Sequence, residues 1–209
     1  MNQRTLYVAS GNRGKLRDFS VAAAAGGSDW KIAELPGLEG IAPPPEDGET
    51  FQENAEGKAL YYGGFLPGAY VLADDSGLVV DALGGAPGVY SARYADRLGF
   101  ATAGSILGDE RNNLCLLAEM RRLPVRTPRA AHYRCVLAVA QNQTIVATAE
   151  GTVAGVLLEA PQGGGGFGYD PLFLLPGYGR SMAELDAETR LGLSHRGAAL
   201  RALLRMLPA

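Results

Sequence analysis

Two adjacent acids, Asp74 and Asp75, interrupt an otherwise apolar run, with 69–73 before them and 78–81 after Ser76 and Gly77. Unpaired carboxylates are costly beside such a run. At the end of a strand in an α/β sheet, such acids can hold a hard cation, since magnesium takes oxygen ligands and is often held by one or two carboxylates plus substrate phosphates. Asp-Asp-Ser-Gly also suits a turn, and both readings stay open at this level. A further acid and a further base stand upstream: Glu46 in a proline-rich loop and Lys58 on the helix that follows it. Each alone reads as a solvated surface charge. The segment Ser10, Gly11, Asn12, Arg13, Gly14, Lys15 joins an apolar run to a helix. Such a loop can offer backbone N–H groups, a helix N-terminus and a lysine to a phosphate. It is not a P-loop, because the spacing is too short and Leu16 replaces the hydroxyl residue that would touch magnesium. An ordinary glycine-containing turn is the other reading.

Two more groups lie toward the C-terminus. The tract Gly163, Gly164, Gly165, Gly166 precedes Phe167, Gly168, Tyr169 and Asp170. It can be a mobile loop or a place where a ligand approaches backbone closely, with an aromatic able to stack on a base or to join the core. Ser194, His195 and Arg196 occupy the first turn of the last helix, where the helix dipole disfavours cations. Either a polar ligand compensates there or both cationic side chains are solvated. A Ser-His-Asp triad is unsupported: no G-x-S-x-G elbow occurs.

These residues need elements to position them. The pattern predicts a strand at 6–9, a helix at 15–25 stopped by Gly26 and Gly27, and a strand at 31–34. The prolines at 43–45 exclude a helix there. Thr50 with Glu53 forms a capping-box pattern opening a helix through Tyr62, with Phe51, Ala55, Ala59 and Tyr62 on one face and Asn54 and Lys58 on another. Strands at 69–73 and 78–81 flank the acids. A helix is expected over 102–122, closed by Pro124, then a hairpin of 131–140 and 144–149 around Gln141, Asn142 and Gln143, and a further strand at 152–158. Ser194 caps a final helix carrying Leu200, Leu203, Leu204 and Leu207. Alternating strands and helices without a linker-like break imply one α/β domain over 1–209, with room for two lobes.

Composition narrows the class. The 209 residues are 47% hydrophobic and carry a net charge of −3, which argues against a nucleic-acid binder or a basic membrane-surface protein. No stretch offers the roughly 18 apolar residues of a membrane helix and no signal peptide is evident at the N-terminus, so a cytoplasmic protein is expected. Cys115 and Cys135, each in an apolar stretch, are expected to be buried thiols. The 29 glycines are about twice the usual roughly 7%.

Taken in order, SGNRGKLRDF at 10–19, TFQENAEGKA at 50–59, ADDSGLVVDALGGAPGVYSARYA at 73–95, GGFGYDPLF at 165–173, MAEL at 182–185 and SHRGAAL at 194–200 span nearly the whole chain. This set resembles the inosine triphosphate pyrophosphatase family, which hydrolyses noncanonical purine nucleoside triphosphates such as ITP, dITP and XTP. The resemblance implies an elongated mixed β-sheet with flanking helices in two lobes around a cleft, a homodimer, and Mg²⁺ as cofactor. It places the phosphate loop on Ser10 to Lys15, the metal ligands on Glu46 and Asp75, and catalytic roles on Asp75, the adjacent Asp74 and Lys58. Substrate contacts fall on Ser76, on the base-side segment Phe167, Gly168, Tyr169 and Asp170, and on the base-reading pair His195 and Arg196. A substrate-contacting lysine of the family is here Arg190, which keeps the charge but replaces a point charge by a planar fork. The implied reaction is attack of water on the α-phosphorus, giving a nucleoside monophosphate and pyrophosphate, with either Asp74 or Asp75 as base. The alternatives are a related pyrophosphatase for modified pyrimidine nucleotides and a non-catalytic nucleotide-binding regulator.

Overall fold

The structure is a computed structural model that describes residues 4–25, 29–102, 104 and 106–208. Seven strands form one mixed sheet in the order β2-β1-β3-β4-β5-β6-β7, comprising β1 Thr5–Val8, β2 Lys31–Glu34, β3 Tyr70–Val80, β4 Ala130–Gln141, β5 Thr144–Leu157, β6 Phe173–Leu175 and β7 Arg180–Ser181. β1 pairs in parallel with β2 and β3, with Leu6 opposite Ile32 and Tyr70, whereas β5 and β6 and then β6 and β7 pair antiparallel. The helices are α1 Arg13–Ala25, α2 Phe51–Gly63, α3 Tyr94–Arg97, α4 Gly108–Arg121, α5 Ala187–Leu193 and α6 His195–Leu204. The parallel strands are joined through helices, as parallel pairing requires. The β4–β5 hairpin instead turns on Asn142 and Gln143, both at positive φ (49° and 60°), the handedness that matches strand twist.

The chain divides into two compact units. The first comprises Met1–Asp75, Cys135–Thr152 and Leu191–Ala209, and the second Ser76–Arg134 and Val153–Arg190. In the first, α1 and α6 bury Phe19, Leu200 and Leu203 with Leu6, Val8, Leu72, Leu137 and Val139 of the sheet. A smaller cluster joins Leu35, Leu38, Tyr62 and Val71. The second unit buries Leu78, Tyr94, Cys115, Leu116, Leu157, Leu172 and Phe173. Cys115 and Cys135 are both free and buried, as expected.

Four expectations about elements change. The apolar runs around the acids are not two strands separated by a turn, because β3 runs unbroken from Tyr70 to Val80 with Asp74, Asp75, Ser76 and Gly77 inside it. The acids therefore stand within a strand, not at its end, and the turn reading falls. In the same way 144–149 and 152–158 are one strand, β5, passing straight through Gly151. A Cβ there would lie 2.2 Å from the carbonyl oxygen of His195 and 2.4 Å from the amide of Ala199, so this glycine lets α6 lie directly on the sheet. α4 begins at Gly108 instead of 102, because Leu107 is extended (φ −132°, ψ 170°) and closes the helix on that side. α1 starts at Arg13, two residues earlier than the apolar pattern implied. The stop expected at Gly26 and Gly27 lies outside the described residues. Among the described residues no helix is long and apolar enough to cross a membrane.

Candidate active site

Asp74, at the first unit's share of β3, is buried, and its carboxylate takes Lys15 Nζ at 3.0 Å (Oδ1) and 2.8 Å (Oδ2). Lys15 reaches it from the first turn of α1. On the other side, Arg196 Nε stands 3.9 Å from Asp74 Oδ2. Burial alone would push this carboxyl up, but the charges of Lys15, Arg196 and Lys58 outweigh it and hold the group at about 2.

Asp75, one residue on, points to the opposite face of the strand. There it meets α2. Lys58 Nζ donates to Asp75 Oδ1 at 3.1 Å and to Glu46 Oε1 at 2.7 Å, and Asn54 Nδ2 donates to Asp75 Oδ2 at 3.1 Å. Asn54 Oδ1 in turn accepts from Gly48 N at 2.9 Å, which ties the proline-rich loop carrying Glu46 to the same spot. The opposite balance holds here: burial dominates and raises Asp75 above the usual carboxylate range, with Lys58 and Asn54 opposing it only in part and Glu46 adding to the rise. Burial works against the Lys58 ammonium, yet Asp75, Asp74 and Glu46 together overcome it and raise its pKa. α2 is oriented for this by its N-terminus, where Thr50 Oγ1 accepts from Glu53 N (3.1 Å) and Glu53 Oε2 from Thr50 N (3.0 Å), the capping box legible in the sequence.

The loop before α1 differs from a free phosphate cradle. Asn12 Oδ1 accepts from the amides of Gly14 (2.9 Å) and Lys15 (3.3 Å), and Ser10 Oγ accepts from Asn12 N (3.3 Å). Asn12 thus caps α1, and those amides are engaged within the loop. Gly11 is exposed, and the side chain of Arg13 lies outside the described residues.

His195 and Arg196 are buried, which overturns solvation as the reading for both. Ser194 Oγ caps α6 by accepting from Gly197 N at 2.9 Å. Burial and the neighbouring guanidinium lower the His195 pKa well below its ordinary value, against the pull of Asp74, so the imidazole is neutral.

In the second unit Ser76 is half-buried on β3. Phe167 is 48% exposed, but Tyr169 is 3% exposed with its hydroxyl on Ser91 O at 2.8 Å, so Tyr169 is a core residue and not a stacking surface. Asp170 is buried, accepting from Phe167 N (3.1 Å) and Tyr133 OH (3.0 Å), and therefore serves the loop itself. Arg190 Nη1 donates to Leu185 O at 3.2 Å and Met182 O at 3.4 Å, an arrangement in which its fork serves backbone carbonyls.

Asn54 is the residue that single-site reading missed. Its signal was present as the i, i+4 spacing to Lys58 on a capped helix. Among the described residues no group of three or more His, Cys, Asp or Glu side chains could hold a metal by itself. Two carboxylates do converge, however, since Glu46 and Asp75 share one ammonium. A donor set of two carboxylates fits a hard cation whose remaining ligands are waters and substrate phosphates.

Fold and site together define a class: a mixed α/β protein with two buried carboxylates inside its sheet, met by half-buried lysines and a further carboxylate. The chain belongs to the Ham1 family, whose sequence model matches residues 6–206. It is 56% identical over 204 residues to a dITP/XTP pyrophosphatase of Acidobacterium capsulatum, covering 98% of each chain. It is 46% identical to one of Thermus thermophilus, covering 95% of this chain and 89% of that one. Among solved structures it is similar to a HAM1 protein from Coxiella burnetii, with TM-score 0.81, 32% identity and 97% of each chain covered. It is also similar to a nucleoside-triphosphatase / dITP/XTP pyrophosphatase from Mycobacterium abscessus, with TM-score 0.71, 36% identity and 98% of each covered.

Proposed function

We propose that the protein hydrolyses noncanonical purine nucleoside triphosphates, ITP, dITP and XTP, to the nucleoside monophosphate and pyrophosphate. The observation that carries this reading is the pair of buried acids on β3, one neutralised by Lys15 and Arg196, the other paired with Glu46 across Lys58. The names of the relatives, dITP/XTP pyrophosphatases, supply the substrate class.

In this reading Lys15 and Lys58 bind the polyphosphate, while Glu46 and Asp75 hold Mg²⁺. Bound there, the ion supplies neutralisation of the charge that develops on phosphate oxygens. The electrostatics of the two acids favour Asp75 over Asp74 as the base. Asp74 is held as an anion by its cations and is a poor proton acceptor. Burial raises the basicity of Asp75 in the metal-free site, which supports giving it the role. It orients a water whose oxygen bonds to the α-phosphorus, accepts the proton, and the bond from the α-phosphorus to the bridging oxygen breaks to release pyrophosphate. His195 and Arg196 present donors to the C6 oxygen of hypoxanthine or xanthine, where adenine has an amino group. Phe167 and Gly168 lie on the base side, with Tyr169 and Asp170 supporting them, and Ser76 and Arg190 are the remaining substrate contacts. The family's sequence model runs across both units, which favours one functional domain over 1–209. A cytoplasmic homodimer completes the reading and is checked by sedimentation and fractionation.

The test is product analysis with ITP and Mg²⁺. Pyrophosphate and IMP are expected, and release of orthophosphate and IDP overturns the assignment. Running dUTP and methylated pyrimidine triphosphates beside ITP and XTP separates purine from pyrimidine specificity, and tight binding without turnover identifies a regulator.

A further inference from the structure

We infer that Asp109 and Asn113 on α4 and Tyr133 on β4 are positioning residues that hold the 166–170 segment in its substrate-binding conformation before substrate arrives. The inference rests on the reading above that this segment takes the purine.

The geometry is specific. Asp109 and Asn113 are four residues apart and so share a face of α4. Both side chains meet the backbone of one residue, on the two peptide units that flank its Cα: Gly168 N donates to Asp109 Oδ2 at 2.6 Å, and Asn113 Nδ2 donates to Gly168 O at 3.0 Å. Gly168 sits at φ +62°, a left-handed conformation that glycine adopts readily, so the backbone bends there without a steric cost and the two side chains fix where it lies. A second clamp spans Gly168, from Phe167 before it to Asp170 two residues after it. Asp170 accepts from Phe167 N through Oδ2 and from Tyr133 OH through Oδ1, so Tyr133 fixes the carboxylate that fixes Phe167. The Tyr133 ring is itself packed on Phe173, with centroids 4.6 Å apart.

Glycine-rich loops are ordinarily mobile. This one is gripped by side chains from a helix and a strand, yet the ring it carries, Phe167, is half exposed. Holding an exposed ring on a fixed backbone moves the ordering cost of the loop from ligand binding to folding, and its effect is on affinity. If the clamp is released, the binding-competent conformer becomes a fraction of the population and the apparent affinity falls by that fraction.

The experiment uses the full chain and measures KM and kcat for pyrophosphate release from ITP with Mg²⁺, together with thermal unfolding. Loss of one such hydrogen bond in Asp109→Ala is expected to raise KM about fivefold, with kcat within about twofold of wild type. Tyr133→Phe, which keeps the ring packing, is expected to behave likewise. Asp109→Asn keeps an oxygen acceptor for Gly168 N and is expected to restore KM to within about twofold of wild type. An unchanged KM in both Asp109→Ala and Tyr133→Phe overturns the inference, as does a lowered unfolding midpoint with KM unmoved, which would make the residues purely structural. If wild type itself releases no pyrophosphate from ITP, dITP or XTP, the functional reading fails first and the inference with it.

Discussion

Burial by itself raises the pKa of both Asp74 and Asp75, and what differs is the number of cations each faces. Asp74 has Lys15 and Arg196 on it and Lys58 nearby, whereas Asp75 shares Lys58 with Glu46. Asp75→Asn keeps shape but removes the basic oxygen, and it is expected to lower kcat on the order of 10²- to 10⁴-fold while leaving the preference among nucleotides nearly intact. Arg196→Ala should do the reverse in emphasis. Losing a donor to the C6 oxygen costs about 1–3 kcal/mol, so the kcat/KM preference for ITP over ATP should fall roughly ten- to hundredfold. Equal preference ratios in wild type and Arg196→Ala would exclude base reading by Arg196. At this scale the sequence exposed residue types but not their burial. Arg196 read as solvated because arginine on a helix usually is; only the packing of α6 on β5, at Gly151, brings its first turn against the sheet.

At the scale of elements, local signals were read well and interruptions were read wrongly. The capping box of α2 and the Ser194 cap of α6 are short-range chemistry, and both stand as the spacing implied. Polar or glycine residues inside β3 and β5 looked like strand ends, because a run of acids in a buried strand is unfavourable unless partners arrive from elsewhere. Those partners, Lys15, Asn54, Lys58 and Arg196, come from three helices that the strand pattern cannot foresee. Gly151 tests the argument. A Cβ would meet two backbone atoms of α6 at 2.2 and 2.4 Å, neither of which can rotate away. Gly151→Ala is therefore expected to destabilise by about 3 kcal/mol, at the upper end for overpacking. That corresponds to a fall of roughly 6–12 °C in the unfolding midpoint. A midpoint within about 2 °C of wild type would mean α6 shifts freely on β5.

At the scale of the whole molecule, the family pattern was legible because its motif blocks survive in order along nearly the full chain, and the mixed α/β class followed with them. The division into two units was less so, since β3, β4 and β5 each carry residues of both. The charge cluster also has a consequence for the stability of the entire fold. Asp74 titrates at about 2 in the folded protein against 3.8 when unperturbed, so at neutral pH its ionised form favours folding. A depressed carboxylate pKa contributes stability that is fully present above about pH 4 and is lost as pH falls toward 2, where both states are protonated. The difference corresponds to about 2 kcal/mol. Asp74→Asn should accordingly unfold in urea with about 2 kcal/mol less stability than wild type at pH 7, leaving Lys15 and Arg196 to face a neutral amide. The gap should shrink steadily below about pH 4 and nearly close near pH 2. Urea keeps ionic strength constant across the series, so screening does not imitate the effect. A gap of the same size at pH 3 and pH 7 would show that Asp74 stabilises the fold by packing and not by its charge.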